Sequence, residues 1–433
     1  MKRSAKSRVR PGQGGTRAVV LGLCLSVLIA PLASAAEESE TELLMKLLRE
    51  AAKSDQFDAD ELRSSLAGFS SDMVPILFAV MDTGIVPDGE TAVVMPDALR
   101  GSLWGAFSQF DTAPIRNHVS RFADAKFGER TRLHALKLLG AVGSSNDLAL
   151  LGQLAVPEGV QPTDAVRIPF GYAVASIFER DPSAIQDVRK LYSDCHGSLR
   201  PKLLECISRA NSPEKLSVLS GLLRLAPRAD SYVLRTIGGL AGSGRGTSDE
   251  YVCGSVRMFL IDQEPLLVQA AAQTLGALRD EGAIEPLIEL LREGVPQLAP
   301  VALQALIQIT GRNFGTASDA WRAWFDEEQR WWSVEASRIF RDLRDANPGR
   351  VAAAIQAVST HSLNREELAT AVLGVLAREE PSLRMLACIT LGNLGAEGAR
   401  PRIQELLEDP DPDVRAAAKA AVSRLTFRIL PHH

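Results

Sequence analysis

Residues 382–392 read SLRMLACITLG, and residues 413–422, which lie 31 positions further on, read DVRAAAKAAV. Both stretches place an apolar residue before an Arg, a small residue three positions after it and an aliphatic residue seven positions after it. A helix that recurs at such a spacing is typical of stacked repeats, because one short helical hairpin cannot bury its apolar face alone. The sequence therefore predicts an all-α solenoid of antiparallel helix pairs.

The same register recurs through much of the chain. The aliphatic position is filled at Leu139, Ile177, Ile207, Ile237, Leu275 and Leu306, and the Arg position at Arg132 and Arg200 as well as Arg384 and Arg415. We expect these arginines to be structural. The pattern predicts repeats over 96–312 and 381–433, a Trp-containing helical segment with one degenerate repeat over 313–380, and an atypical helical cap over 37–95.

The first 36 residues have a different composition. A basic leader without acidic residues precedes an apolar run over 18–30, and Ala33-Ser34-Ala35 supplies a small-x-small cleavage pattern. These features predict a secretory signal cleaved near Ala35 or Ala36, and hence a periplasmic or extracellular protein. A retained N-terminal anchor is the alternative. No later apolar run is long enough to span a bilayer.

The charge of the chain argues against nucleic-acid binding. The formal net charge is −5, and removal of the six Lys and Arg of the leader would make it −11. An acidic chain is a poor match for phosphate backbones. We therefore expect no nucleic acid among its partners.

Residues suited to catalysis, metal binding or cofactor binding do not form a recognisable pattern. The six histidines lack metal-ligand spacing. Asp409, Asp411 and Asp413 resemble the start of a calcium loop, but a Gly and a Glu that such a loop needs are missing, and Asp413 is expected to cap a helix. The sequence predicts no catalytic, cofactor or metal site. Cys195 and Cys206 are either buried thiols or a disulfide.

Trp321, Trp324, Trp331 and Trp332 share roughly one face of a predicted helix. Tryptophans at this spacing are more often part of a core. Because Trp is enriched at the energetic centres of interfaces, a partner-binding role is the alternative.

These repeats resemble HEAT repeats, particularly the short variety found in phycobilisome lyases. The turn over 409–413 followed by Val414-Arg415 matches the turn and Val-Arg of that family, and Arg132, Arg200 and Arg384 fit its Arg position. The resemblance implies a right-handed, armadillo-like α/α superhelix with convex first helices and concave second helices. It also implies scaffolding or partner binding, with no fixed chemistry.

Three functions are compatible with these observations. The first is an exported, non-enzymatic scaffold that binds a protein or peptide on its concave face. The second is a lyase-like or other enzyme-accessory protein that handles a small ligand or prosthetic group. The third is an envelope structural protein that assembles with itself. The sequence does not determine the oligomeric state.

Overall fold

The computed structural model describes residues 35–54, 59–89, 91–242 and 250–427. The chain divides into two compact units, and the division falls between Ser212 and Pro213. The predicted repeats over 96–312 are therefore shared between the two units. Most of the predicted signal, over 1–34, lies outside the described residues.

Unit 1 contains helices joined by short turns and one pair of strands. Its elements are α1 (Ala35–Lys53), α2 (Ala59–Leu66), α3 (Val74–Thr83), β1 (Ile85–Asp88), β2 (Thr91–Val94), α4 (Asp97–Ala106), α5 (Thr112–Ser120), α6 (Glu129–Val142), α7 (Leu148–Ala155), α8 (Asp164–Arg180), α9 (Ile185–Asp194) and α10 (Arg200–Arg209).

The described residues of unit 2 form helices and the turns that connect them. Its elements are α11 (Lys215–Leu222), α12 (Asp230–Gly242), α13 (Glu250–Arg257), α14 (Pro265–Leu278), α15 (Ile284–Glu293), α16 (Ala299–Thr310), α17 (Ser318–Val334), α18 (Ala336–Asp342), α19 (Pro348–Ser359), α20 (Arg365–Leu373), α21 (Pro381–Leu394), α22 (Arg400–Glu405) and α23 (Pro412–Phe427). Antiparallel helix pairs build both units, which confirms the predicted all-α class.

The predicted helical cap over 37–95 is wrong at its end, where the chain forms a β-hairpin. Strands β1 and β2 pair in antiparallel fashion, with Ile85 opposite Val94. The hairpin lies against α1, because Arg49 Nε donates to Pro87 O at 2.6 Å and Lys53 Nζ pairs with Asp88 at 2.8 Å. Pro87 lies within β1, opposite Ala92, which is possible because Pro is tolerated in edge strands.

Small residues let the first helices of successive pairs lie close together. A Cβ added to Gly140 on α6 would lie 2.8 Å from Ala173 Cα on α8. In unit 2, a Cβ on Gly276 of α14 would lie 3.0 Å from Ala305 Cα of α16. The glycine that follows the repeated aliphatic residue is thus required by close approach of the next first helix.

The core of unit 2 is continuous from α17 to α23. Its buried side chains include Trp331, Ile355, Leu368, Leu391 and Ala418. Burying apolar surface of this kind stabilises a fold by about 25 cal/mol per Å². Because the helices from α17 to α23 contribute to this shared core, they depend on one another for burial.

No single helix among the described residues is both long and apolar enough to cross a membrane. Residues 60–66 and 71–83 reach that length and apolarity only when taken together, across a bend of 113°.

Candidate partner-binding surface

Second helices α15 and α17 of unit 2 lie side by side and present charged side chains to solvent. On α15, Ile284, Leu287 and Ile288 are buried, so Glu285 and Glu289 lie on the opposite side of the helix. Arg322 of α17 pairs with Glu285, with Nη1 2.7 Å from Oε1. The ion pair is largely exposed, so it contributes little stability and remains available to a partner.

Trp321 and Trp324 begin the row of tryptophans along α17, and they differ in exposure. Trp321 is fully buried and its Nε1 donates to Gly315 O at 2.9 Å. Trp324 is half-buried, with its ring centroid 6.0 Å from that of Trp321 and 6.1 Å from that of Phe314. Trp321 therefore supports the fold, whereas part of the Trp324 ring remains accessible to solvent.

Trp331 and Trp332 form the second half of the row. Trp331 is buried and stacks on His361, with ring centroids 3.7 Å apart and an interplanar angle of 21°. Trp332 is half-buried and meets Phe340 edge-on at 5.8 Å. Of the four predicted tryptophans, Trp324 and Trp332 retain surface that a partner could contact.

The four repeat-position arginines all donate to backbone carbonyl oxygens of the chain shortly before their own helix. These bonds join Arg132 to Phe127 O, Arg200 to Tyr192 O and Cys195 O, Arg384 to Arg378 O and Glu379 O, and Arg415 to Asp409 O and Pro410 O. In each case the acceptors include the residue five positions earlier. Carbonyls in tight turns would otherwise need water, so these side chains fix the turns.

Arg384 also connects one repeat to the next. Its Nε and Nη2 donate to the two carboxylate oxygens of Asp409, both at 2.8 Å, in a buried bidentate pair. These hydrogen bonds lower the pKa of Asp409 below its ordinary value and raise that of Arg384. A buried carboxylate held in this way is structural, because both of its oxygens are already occupied.

Asp411 caps α23, and the expectation that Asp413 does so was wrong. Asp411 Oδ1 accepts from the backbone N–H groups of Asp413 at 2.9 Å and Val414 at 3.2 Å. Because Pro412 is the first residue of α23, the residue before it occupies the capping position.

Two family models match the chain. A model of HEAT repeats matches residues 339–423, and a model of the PBS lyase HEAT-like repeat matches residues 268–293. The chain contains HEAT repeats. The longer match covers α19 to α22 and most of α23, and it includes both Arg384 and Asp409. The shorter match covers most of α14 and all of α15.

Some solved structures are distantly similar to this chain. No curated protein matches the sequence. Human deoxyhypusine hydroxylase in complex with glycerol is similar over 60% of this chain and 99% of its own, with 17% identity and a TM-score of 0.25. The karyopherin Kap121p bound to the extreme C-terminus of Cdc14p is similar over 96% of this chain and 50% of its own, with 12% identity and a TM-score of 0.37. Similarities this distant do not indicate a function.

The thiols of this HEAT-repeat protein are poorly suited to chemistry. Cys195 and Cys206 are buried thiols and are not joined in a disulfide. Burial raises the pKa of Cys195 and of Cys388 to about 11. Since the thiolate is the reactive form of cysteine, neither thiol is activated for nucleophilic attack.

Two histidines of unit 1 lie in an aromatic cluster. His118 has both ring nitrogens buried without a hydrogen-bond partner, and its ring packs at an angle against the stacked rings of Phe78 and Phe122. Burial, together with the charge of Arg121, lowers its pKa to about 4. His134 Nδ1 lies 2.7 Å from Asp82 Oδ1. In the described part of the chain, His, Cys, Asp and Glu residues form no group of three or more that could hold a metal ion.

A set of exposed apolar residues that the sequence pattern did not predict lies at the start of two neighbouring first helices. Tyr232 and Leu266 lie in the first turns of α12 and α14, and Met258 and Ile261 lie in the loop before α14. Ile261 is 81% exposed and Leu266 is 64% exposed. Helical periodicity could not reveal them, because they lie at helix starts and in a loop.

Proposed function

We propose that this HEAT-repeat protein is a non-enzymatic scaffold that binds a protein or peptide partner on the second-helix surface of unit 2. The observation that supports this proposal most is the position of Trp324. Its half-buried ring lies on the same second helix as Arg322, which pairs with Glu285 on the neighbouring second helix. Trp and Arg are the residue types most enriched at the energetic centres of interfaces.

The chemistry of this surface favours a polar partner with an apolar anchor. Glu285, Glu289 and Arg322 would meet polar or charged groups of the partner. The accessible edge of Trp324 would pack against an apolar side chain. Interfaces combine an aromatic centre with a polar rim in this way. In HEAT repeats the second helices line the concave side, which suits an extended peptide.

We also propose that the protein is exported. The basic leader, the apolar run over 18–30 and the small-x-small pattern at Ala33–Ala35 support this proposal. N-terminal sequencing of the protein recovered from the envelope or the medium would test it. A new N-terminus near Ala36 or Glu37 is expected, whereas an intact Met1 would contradict cleavage.

An affinity experiment tests the scaffold proposal. The exported form of the chain would be used as bait in an envelope fraction, beside the variant Arg322→Glu. We expect the captured protein to fall by tenfold or more with Arg322→Glu, because the variant places a third carboxylate beside Glu285 and Glu289. The melting temperature should be unchanged, since exposed substitutions alter stability by less than about 0.5 kcal/mol.

Arg350→Glu is the matched control, because Arg350 is an exposed arginine of unit 2 that lies on the first helix α19. It should capture the same protein as the unaltered bait. Equal capture by Arg322→Glu and the unaltered bait would contradict the proposed surface. Turnover of a substrate by the purified chain alone would contradict the scaffold, and a co-purifying chromophore would favour the lyase-like alternative.

A further inference from the structure

Two neighbouring first helices of unit 2 carry no ionisable side chain. Helices α14 and α16 contain no Asp, Glu, Lys, Arg or His. Charged residues make up 23% of the chain, so helices of this length ordinarily carry several. The second helix between them, α15, carries Glu285, Glu289, Arg292 and Glu293. The lack of charge is therefore confined to the first-helix side of these repeats.

The outward side chains of α14 and α16 form what we call the uncharged face. The two helices lie side by side, since Gly276 closely approaches Ala305. The face consists of the exposed or half-buried residues Leu266, Gln269, Gln273, Gln304, Ile307 and Gln308. The glutamine amides of this face can hydrogen-bond either to water or to a partner, and the face carries no charge that would oppose a partner.

Glutamine makes this face complementary to itself. Each amide offers an acceptor oxygen and two N–H donors, so a row of glutamines can pair with an identical row. An isologous dimer brings the same patch of two subunits together. In such a dimer a charged patch would face the same charge on the other copy and be repelled, whereas the uncharged face would not be. The chain has a net charge of −5, so two copies repel each other least where charge is absent.

We propose that two copies of this chain pair through the uncharged face of α14 and α16. The helices have 14 and 12 residues, which gives lengths of about 21 and 18 Å. With neighbouring axes about 9 Å apart, the face covers about 400 Å² on each copy. This area is smaller than the roughly 1,200 Å² in total of a stable complex. The dimer is therefore weak and reversible, forming between micromolar and millimolar concentration.

Charge substitutions on the face test this pairing. Sedimentation equilibrium of the purified chain should show the mass rising from monomer toward dimer with concentration. The double variant Gln273→Glu and Gln304→Glu should remain monomeric, because like charges would meet across the twofold axis. The double variant Gln273→Lys and Gln304→Lys should also remain monomeric, whereas an equimolar mixture of the two variants should dimerise.

The mixture separates self-pairing from other contacts. If the face bound a different, charged surface of the chain, one sign of charge would strengthen association and the other would weaken it, which would overturn the proposal. A monomeric mass at millimolar concentration would also overturn it. Gln356→Glu, at an exposed glutamine of the first helix α19, should dimerise like the unaltered chain, and circular dichroism should show that every variant is folded.

Discussion

Gly392 on α21 lies so close to Ala421 on α23 that an added Cβ would be 2.9 Å from the Ala421 Cα. The same relation joins Gly140 to Ala173 in unit 1. The spacing between first helices is thus set by backbone packed against a small side chain. A methyl group at such a position must push two helices apart.

Gly392→Ala should destabilise the protein by about 1–3 kcal/mol, as overpacking of a close contact typically does. The variant gains some helix propensity, since Ala is favoured over Gly by about 1 kcal/mol in a helix interior. The steric cost is expected to exceed this gain because Ala421 is itself buried in the core. Urea denaturation of the transition that reports on unit 2 would measure the difference.

Gly239→Ala is the matched control for this substitution. Gly239 lies inside helix α12, and an added Cβ there meets nothing within 4 Å. The control should therefore stabilise the chain by a few tenths to 1 kcal/mol. A stabilising effect of both substitutions would show that the first helices are not in close contact at Gly392.

Arg384→Met should destabilise unit 2 by about 3 kcal/mol. The substitution leaves the buried Asp409 carboxylate without its bidentate partner, and an uncompensated buried charge is costly. It also frees the carbonyl oxygens of Arg378 and Glu379. Chemical denaturation would measure the change.

Arg415→Met provides the comparison, because Arg415 holds the same repeat position but its side chain donates to two backbone carbonyls of a more exposed turn. We expect a loss of about 1 kcal/mol. Further addition of Asp409→Asn to Arg384→Met should recover part of the stability, since it removes the unpaired charge. Equal losses for the two arginines would argue against a structural role for the Asp409 pair.

Unit 1 should lose stability as the pH falls from about 6.5 to about 4. Burial lowers the pKa of His118 to about 4 from its ordinary value of 6.5. Within this window the unfolded chain binds a proton that the folded chain excludes, so acid favours unfolding. The loss should approach about 3 kcal/mol at the acid end, at about 1.4 kcal/mol for each pH unit.

Denaturation of the His118→Leu variant at a series of pH values would check this prediction, because the variant should remove this part of the pH dependence. His196→Asn should keep it, because His196 is exposed. Carboxylates with lowered pKa, such as Asp409, lose their stabilising effect below their ordinary pKa of 3.8, outside this window. An unchanged slope in His118→Leu would assign the pH dependence to other groups.

Cys195 and Cys388 should resist alkylation in the folded protein. Both thiols are buried, and the pKa of each is raised to about 11, so the thiolate is scarce at neutral pH. Iodoacetamide labelling followed by mass spectrometry should modify them only after denaturation. The same experiment without reductant should recover Cys195 and Cys206 as thiols, whereas a linked peptide would show a disulfide.

The repeat register was predictable because it rests on a periodic pattern of apolar residues, Arg and Gly. Arg384 and Arg415 were identified from their spacing, and the structure places both against the turns before their helices. The contact that distinguishes them was not predictable. Asp409 lies only six residues before Arg415, yet its carboxylate pairs with Arg384 of the previous first helix.

The surface was harder to predict than the core, because periodicity reports which side of a helix is apolar and not how much of it is covered. Trp321 and Trp324 occupy the same stripe, yet one is fully buried and the other is half-buried. The difference depends on Phe314 and on the turn at Gly315. Likewise, the exposure of Leu266 depends on neighbours that the local sequence does not specify.

The four repeat-position arginines each join the turn before their helix to that helix. A truncated or grafted version that starts at Pro381 would discard the carbonyl oxygens of Arg378 and Glu379 that Arg384 binds. Cuts made before residue 378 would keep the turn and its helix together. The unit to keep intact when this protein is shortened or transplanted is therefore a turn with the helix that follows it. This unit is offset from the helix hairpin by which such repeats are usually divided.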